Sequence, residues 1–347
     1  MNKSIHILIH NSVLIHVFLL GFLGFALAML LTPLFTNLAY KYEWWKKPRT
    51  QAWSGGEATV YQKLHANKHK RNIPNMAGLI FVIAIAVITL LFDLKRQETW
   101  LPLAGMLAAG SIGLIDDMMN IKGSNGAIAG MKAKIKFGLY SIVALLGGYW
   151  FYDKLGVNSI YLPLIHHWYI GFGIIFLFWF VVIATANAVN ITDGLDGLAG
   201  GLLVSSFLAY TFICAIEGKY DLAGFCLIIV GALLSYTWFN IYPARFFMGD
   251  VGSFAIGTTL GIIAMQTGTI YVLPIIGAVY VIETGSVIIN RTSKKLRHGK
   301  KVFLSSPIHH HFEAIGWPET KVTMRFWILG EIAAIVGIIA FLMGRHF

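Results

Sequence analysis

Charged side chains are scarce in this sequence. Asp, Glu, Lys and Arg make up 12% of its 347 residues, against about 25% in a soluble chain. That is too little polar surface to cover a water-soluble globule. Acids are the scarcer sign: 16 Asp and Glu face 27 Lys and Arg, a net charge of +11. Only two cysteines occur, Cys214 and Cys226. Both lie in apolar runs without metal or disulfide spacing, and they read as core packing. Disorder is excluded as well, because 57% of the residues are hydrophobic and disorder needs low hydrophobicity. What remains is a polytopic membrane protein. Its basic excess then belongs to cytoplasmic loops beside membrane lipid, with no nucleic acid as partner.

A helix crosses the hydrocarbon layer in about 20 mostly apolar residues. Ten runs fit, at approximately 12–36, 76–92, 101–115, 137–152, 169–189, 198–216, 222–239, 253–267, 270–289 and 326–343. They are continuous and do not alternate, so helices rather than a barrel must satisfy the backbone in lipid. The expected fold class is all-α, with about ten transmembrane helices in a single domain, 1–347. The loops after the odd-numbered spans, approximately 37–75, 116–136, 190–197, 240–252 and 290–323, hold twenty Lys and Arg. The opposite side, with both termini, holds six. The positive-inside rule puts the first set in the cytoplasm and both termini outside. Trp44, Trp45 and Trp53 among lysines read as an interfacial belt.

Four polar clusters fall on the basic side. Asp116 and Asp117 follow directly on the apolar end of a span. Adjacent carboxylates at a bilayer rim need a positive partner, and the pair reads as a metal or general-base site rather than a solvated helix end. Asn187, Asn190, Asp193 and Asp196 recur every three residues. On a continuous helix three steps drift by about 60°, so the outer two would diverge; a break at Gly194 or Gly197 would regroup them. The segment Asn240 to Ser253, with Arg245, Phe247 and Asp250, is a Pro- and Gly-containing turn ending in an acid. Ser306 to Glu313 holds His309, His310 and His311 in a row. Consecutive side chains point apart, so one metal is not expected to take all three; imidazoles can instead bind phosphate or move a proton. Glu283 is separate, an ionisable residue deep in a span, and it is read either as functional or as a packed protonated acid. Acids converging with lysines on one membrane face imply a bound cation and a phosphorylated substrate. Mg2+ is the hard ion that suits carboxylates and diphosphates, with lysines neutralising the remaining phosphate charge.

Taken together, Asp116-Asp117, Asn187 to Gly197, Asn240 to Gly252 and Pro307 to Glu313 resemble the phospho-N-acetylmuramoyl-pentapeptide transferase family. The Pro-Ile-His-His-His-Phe-Glu run is the most specific, since related polyprenyl-phosphate sugar-phosphate transferases generally lack it. The resemblance spans nearly the whole chain. It implies that undecaprenyl phosphate attacks the β-phosphate of UDP-MurNAc-pentapeptide, releasing UMP and forming lipid I with Mg2+ as cofactor. It implies a bacterial cytoplasmic membrane location and a homodimer. By matched position it makes Asp250 the metal ligand. Asp116 or Asp117 becomes the base or a second ligand, Asp117 being favoured. Asn190, Asp193 and Asp196 become the nucleotide and diphosphate pocket, with Asn187 beside them. Asn240 supports that pocket, and Phe247 stacks on uracil. Lys70 and Lys136 sit near the phosphates. His309 is a catalytic candidate, with His310 and His311 at the pocket edge.

The sequence also departs from the family. Thr-Pro-Thr-Met-Gly-Gly becomes Ile73-Pro74-Asn75-Met76-Ala77-Gly78, and Asp-Asp-x-x-Lys becomes Asp116-Asp117-Met118-Met119-Asn120. These changes touch substrate contacts rather than reaction class, and Lys122 stands close enough to replace the lost cation. Two other readings follow the residues less well. A transferase for another UDP-sugar, such as GlcNAc-1-phosphate, would not need the histidine run. A lipid or solute transporter would place polar groups near the midplane, with repeats.

Overall fold

The computed structural model describes residues 2–45, 72–123, 130–163 and 166–345, with side chains from Ser12 onward. Ten helices of fifteen or more residues build the described fold. They are α1 (Asn2–Lys41), α2 (Gly78–Phe92), α3 (Trp100–Lys122), α4 (Ala133–Asp153), α5 (Ile174–Thr192), α6 (Leu198–Ile216), α7 (Tyr220–Asn240), α8 (Gly249–Gln266), α10 (Ala278–Leu296) and α12 (Glu319–Gly344). Short helices α9 (Leu273–Ile276) and α11 (Ile308–Ala314) join the last of these. A small antiparallel hairpin, β1 (Ser159–Leu162) and β2 (His166–Tyr169), pairs Ser159 with Tyr169 between α4 and α5. The chain is thus an all-α membrane protein. Six of the described helices are long and apolar enough to cross a bilayer, and α2 is apolar but shorter.

Packing separates centre from rim. In the most apolar stretch of α7, 83% of residues are buried, against 28% in α1 and in α12. Ile328, Ile332, Ile335 and Ile339 of α12 are exposed at helical spacing, a stripe that suits lipid rather than water. Helix α8 is nearly all buried and rich in Gly, Ser and Thr. In lipid, where apolar burial gives little drive between helices, such small residues let backbones approach. Gly113 of α3 does this at the site: a Cβ there would lie 2.4 Å from the Asp250 carbonyl oxygen. Helix α3 therefore passes the start of α8 in backbone contact, and Asp116 and Asp117, one turn on, come to lie beside Asp250.

Several boundaries differ from the expectation. The expected 116–136 loop is largely helical: α3 continues through Asp116 and Asp117 to Lys122, and α4 already begins at Ala133. Asn190 likewise lies in α5, and α10 runs to Leu296. A hydropathy reading stops at the first charges, but the backbone hydrogen bonds of a helix do not. The run at 169–189 starts in β2, and the run at 270–289 is broken at Gly277 between α9 and α10. The C-terminal ends of α3 and α5, the N-terminal ends of α4 and α8, and α11 all meet at one end of the bundle.

Candidate active site

At that end lies a cavity of about 410 Å³, lined by Asp116, Asn120, Lys136, Asn187, Asn190 and Asp250 among others. Lys136 stands in the first turn of α4 and bridges the two acids. Its ammonium donates to Asp116 Oδ2 at 3.2 Å and to Asp250 Oδ2. Asp116 Oδ1 accepts the Met131 N–H at 2.6 Å, and its Oδ2 also accepts from Asn120 Nδ2 at 3.0 Å. Asp250 Oδ1 accepts from Asn190 Nδ2 at 3.1 Å, and that amide also reaches Ser253 Oγ at 2.9 Å. Asp250 belongs to the first turn of α8, where unpaired N–H groups favour an anion. The Lys136 ammonium also sits 4.7 Å from the centre of the Phe254 ring, which stacks on Tyr140 at 4.3 Å. Two carboxylates thus converge on one cationic point.

Asp117 faces elsewhere. It is fully buried, accepts the Asn75 amide at Oδ1 (2.7 Å) and caps the Val251 N–H at Oδ2 (3.0 Å). Residues 74–78 are pinned against the turn before α8 by Phe247 N to Pro74 O (2.8 Å), Ala77 N to Phe247 O (3.0 Å) and Gly78 N to Met248 O (2.9 Å). A second knot closes the loop after α5. Asp196 is 2% exposed and accepts the Ala244 N–H at 3.0 Å. Its own N–H goes to Glu319 Oε1 at 2.7 Å. Asn240 takes the Gly197 N–H at 3.0 Å and donates to Phe246 O at 2.9 Å.

Residues 99–268 match the family described as Glycosyl transferase family 4. The chain is also similar to the phospho-N-acetylmuramoyl-pentapeptide-transferase of Syntrophus aciditrophicus (strain SB), at 38% identity over 292 residues, 79% of this chain and 81% of that one. The chain belongs to the phospho-N-acetylmuramoyl-pentapeptide transferase family. The first match covers α3 to α8, and so every residue named as lining the cavity.

The transferase's three consecutive histidines lie beyond that match and take three separate partners. His309 Nδ1 is 3.0 Å from Glu283 Oε2, and neither side chain has any exposed surface. Its Nε2 faces the loop after α5: a Cβ on Gly194 would lie 2.3 Å from it. His310 Nδ1 is 2.7 Å from Glu313 Oε2. Burial holds His310 below the ordinary imidazole range, with Glu313 pulling the other way. His311 Nδ1 accepts the Leu304 N–H at 3.3 Å.

The expected site residues of the transferase therefore divide. Asp116, Lys136, Asn187, Asn190 and Asp250 share the cavity. Asp117, Asp196 and Asn240 are buried in hydrogen-bonded joints around it. Asp193 is half-buried at the C-terminal end of α5, and Phe247 is half-buried with its backbone tied to 74–77. Asp117, expected as a second ligand, and Asp196, expected as a pocket wall, are not among the residues that line this cavity. Lys70 lies outside the described residues. Among the described residues no cluster of three or more His, Cys, Asp or Glu converges on one metal position. The sequence reading passed over Tyr140 and Phe254. Each stands one helical turn after a residue it did select, Lys136 and Asp250, and that spacing was the available signal.

Proposed function

We propose that this chain transfers phospho-MurNAc-pentapeptide from UDP-MurNAc-pentapeptide to undecaprenyl phosphate, giving lipid I and UMP at the cytoplasmic face of a bacterial inner membrane. An oxygen of the lipid phosphate forms the new bond to the β-phosphorus. The bond from that phosphorus to the UMP oxygen breaks, and UMP leaves with the electron pair. The observation that carries the reading is Lys136 held between Asp116 and Asp250 at the wall of the cavity. Phosphoryl transfer needs little covalent help and much charge neutralisation and alignment, and that arrangement supplies both.

Mg2+ fits the donor set. Two hard carboxylate oxygens already share one cation, the Lys136 ammonium, which stands where a divalent ion would bind. Asp116 and Asp250 would hold it, and when bound it would neutralise the diphosphate. Asn190 fixes the orientation of Asp250. Lys136 carries positive charge to the phosphates, and Asn187 lines the approach. A phosphate monoester is already largely ionised at neutral pH, so a strong base is not required and Asp117 serves as scaffold. His310 and His311 belong to the outer edge of the pocket.

The test offers UDP-MurNAc-pentapeptide and UDP-GlcNAc in parallel and reads UMP. Release with the first alone, dependent on polyprenyl phosphate and Mg2+, is expected. Release with UDP-GlcNAc alone would reassign the donor, and none with either would remove the transferase reading. Orientation is checked with a reporter fused after Phe347, which should report the exterior; a cytoplasmic signal there would turn the site to the wrong face.

A further inference from the structure

Tyr140 stands one turn after Lys136 on α4 and lines the same cavity. Its ring is fixed: it stacks face to face on Phe254 at 4.3 Å with 13° between planes. Phe254 in turn stands one turn after Asp250 on α8 and beneath the Lys136 ammonium. A phenylalanine at position 140 would make the same stack. What tyrosine adds is an O–H, and that O–H is buried without a hydrogen-bond partner among the described residues. The carboxylates whose charge it feels are Asp250 first, then Asp116 and Asp117. A buried donor left unmet is costly and calls for an explanation.

We propose that the Tyr140 phenol donates a hydrogen bond to a phosphate oxygen bound in this cavity. The inference rests on the transferase reading and adds a phosphate-binding residue to it. The chemistry is complementary. An anionic oxygen drawn in by Lys136 needs a second donor, and the stack holds the phenol in place beforehand, so little reorganisation accompanies binding. The phosphate is either that of the polyprenyl acceptor or one of the diphosphate.

Tyr140→Phe removes the O–H and keeps ring and volume, so kinetics of UMP release decide the matter. A hydrogen bond to a charged group gives an expected loss of about ten- to a hundredfold in kcat/KM. A rise confined to the KM for polyprenyl phosphate assigns the phenol to the acceptor. A rise confined to the KM for the UDP-sugar, or a fall in kcat, assigns it to the diphosphate. A second arm needs no turnover: inorganic pyrophosphate with Mg2+ should raise the Tm of the unaltered protein more than that of Tyr140→Phe, each against its own baseline. Kinetic constants within twofold and equal pyrophosphate shifts would overturn the proposal. If the unaltered protein releases no UMP, the transferase reading fails, and the pyrophosphate arm alone still decides the role of the phenol.

Discussion

The Asn75 side-chain amide donates to Asp117 Oδ1 at 2.7 Å, joining the segment before α2 to the end of α3. Asn75 is one of the positions where this sequence departs from its family's pattern, and the contact gives that departure a structural role. Asp117 passes the link on to α8 through the Val251 N–H. The two adjacent aspartates therefore do different work: Asp116 faces the cavity, and Asp117 ties three segments together beneath it. Asn75→Ala should lower stability by about 1–3 kcal/mol, the cost of depriving a buried carboxylate oxygen of its donor. Asp117→Asn should lower Tm and activity together, because Asn75 and Val251 donate to different carboxylate oxygens and an amide keeps only one of them as an acceptor. Asp116→Asn should lower activity with little change in Tm. Melting curves in detergent beside UMP release would separate the pair, and an unshifted Asp117→Asn melt would remove the scaffold role.

Lys136 and Asp250 are expected to separate metal binding from phosphate binding. Asp250→Ala should abolish turnover in a folded protein, and Mg2+ should raise the Tm of the unaltered protein but not that of the variant. Lys136→Met should cost about a hundredfold or more in kcat, on the scale of losing a preorganised charge-stabilising donor. It should bind Mg2+ no more weakly than the unaltered protein, because Lys136 occupies the carboxylates that the ion would use. Retained activity of Asp250→Ala at saturating Mg2+ would withdraw the ligand assignment.

Much of this architecture was legible from the run of apolar residues. Each of the ten runs overlaps one of the ten long helices, and the clusters meet at one end of the bundle. Legibility ended where side-chain direction matters. Neighbouring helical residues point about 100° apart, so Asp116-Asp117 reads as a pair although its members face different surroundings. Asp196 and Asn240 have the polar character of pocket walls, yet both are spent on backbone N–H groups of turns that only the folded loops bring near. Tyr140 and Phe254 were missed because aromatic residues within an apolar run carry no mark of function; the cavity beside them is what distinguishes them. The hairpin at Ser159–Tyr169 fell in the expected loop between the runs 137–152 and 169–189, with only Tyr169 counted into a span.

Glu283, His309 and Gly194 form a chain of contact from α10 through α11 to the loop after α5, and the coupling can be measured. Glu283→Ala leaves His309 Nδ1 buried without its partner, at about 1–3 kcal/mol. Gly194→Ala drives a methyl group onto Nε2. If the ring is what transmits both effects, Gly194→Ala should cost activity in the parent and much less when combined with His309→Ala. A double-mutant cycle with the coupling above about 0.5 kcal/mol is expected for groups in contact. Strict additivity would mean that the histidine and the loop act independently.

Asp93, just beyond the end of α2, makes stability depend on pH at the opposite end of the bundle. Its carboxyl is 1% exposed. Burial first, then the neighbouring Asp221 and Glu98 charges, push it up to about 8 against the pull of Lys95. An unfolded aspartate titrates near about 3.9. Between those values the folded chain holds a proton that the unfolded chain has released, so stability is greatest below the lower value and falls as pH rises toward the upper one. Glu98, raised by burial, adds to the same slope. His310, held down by its own burial, acts in the opposite sense below about 6.5. The clean window is therefore about pH 6.5 to 8, where Tm should decline with rising pH. Asp93→Asn cannot ionise and should flatten that decline, melting higher than the parent at pH 8. An unchanged slope in Asp93→Asn would show that another group carries it.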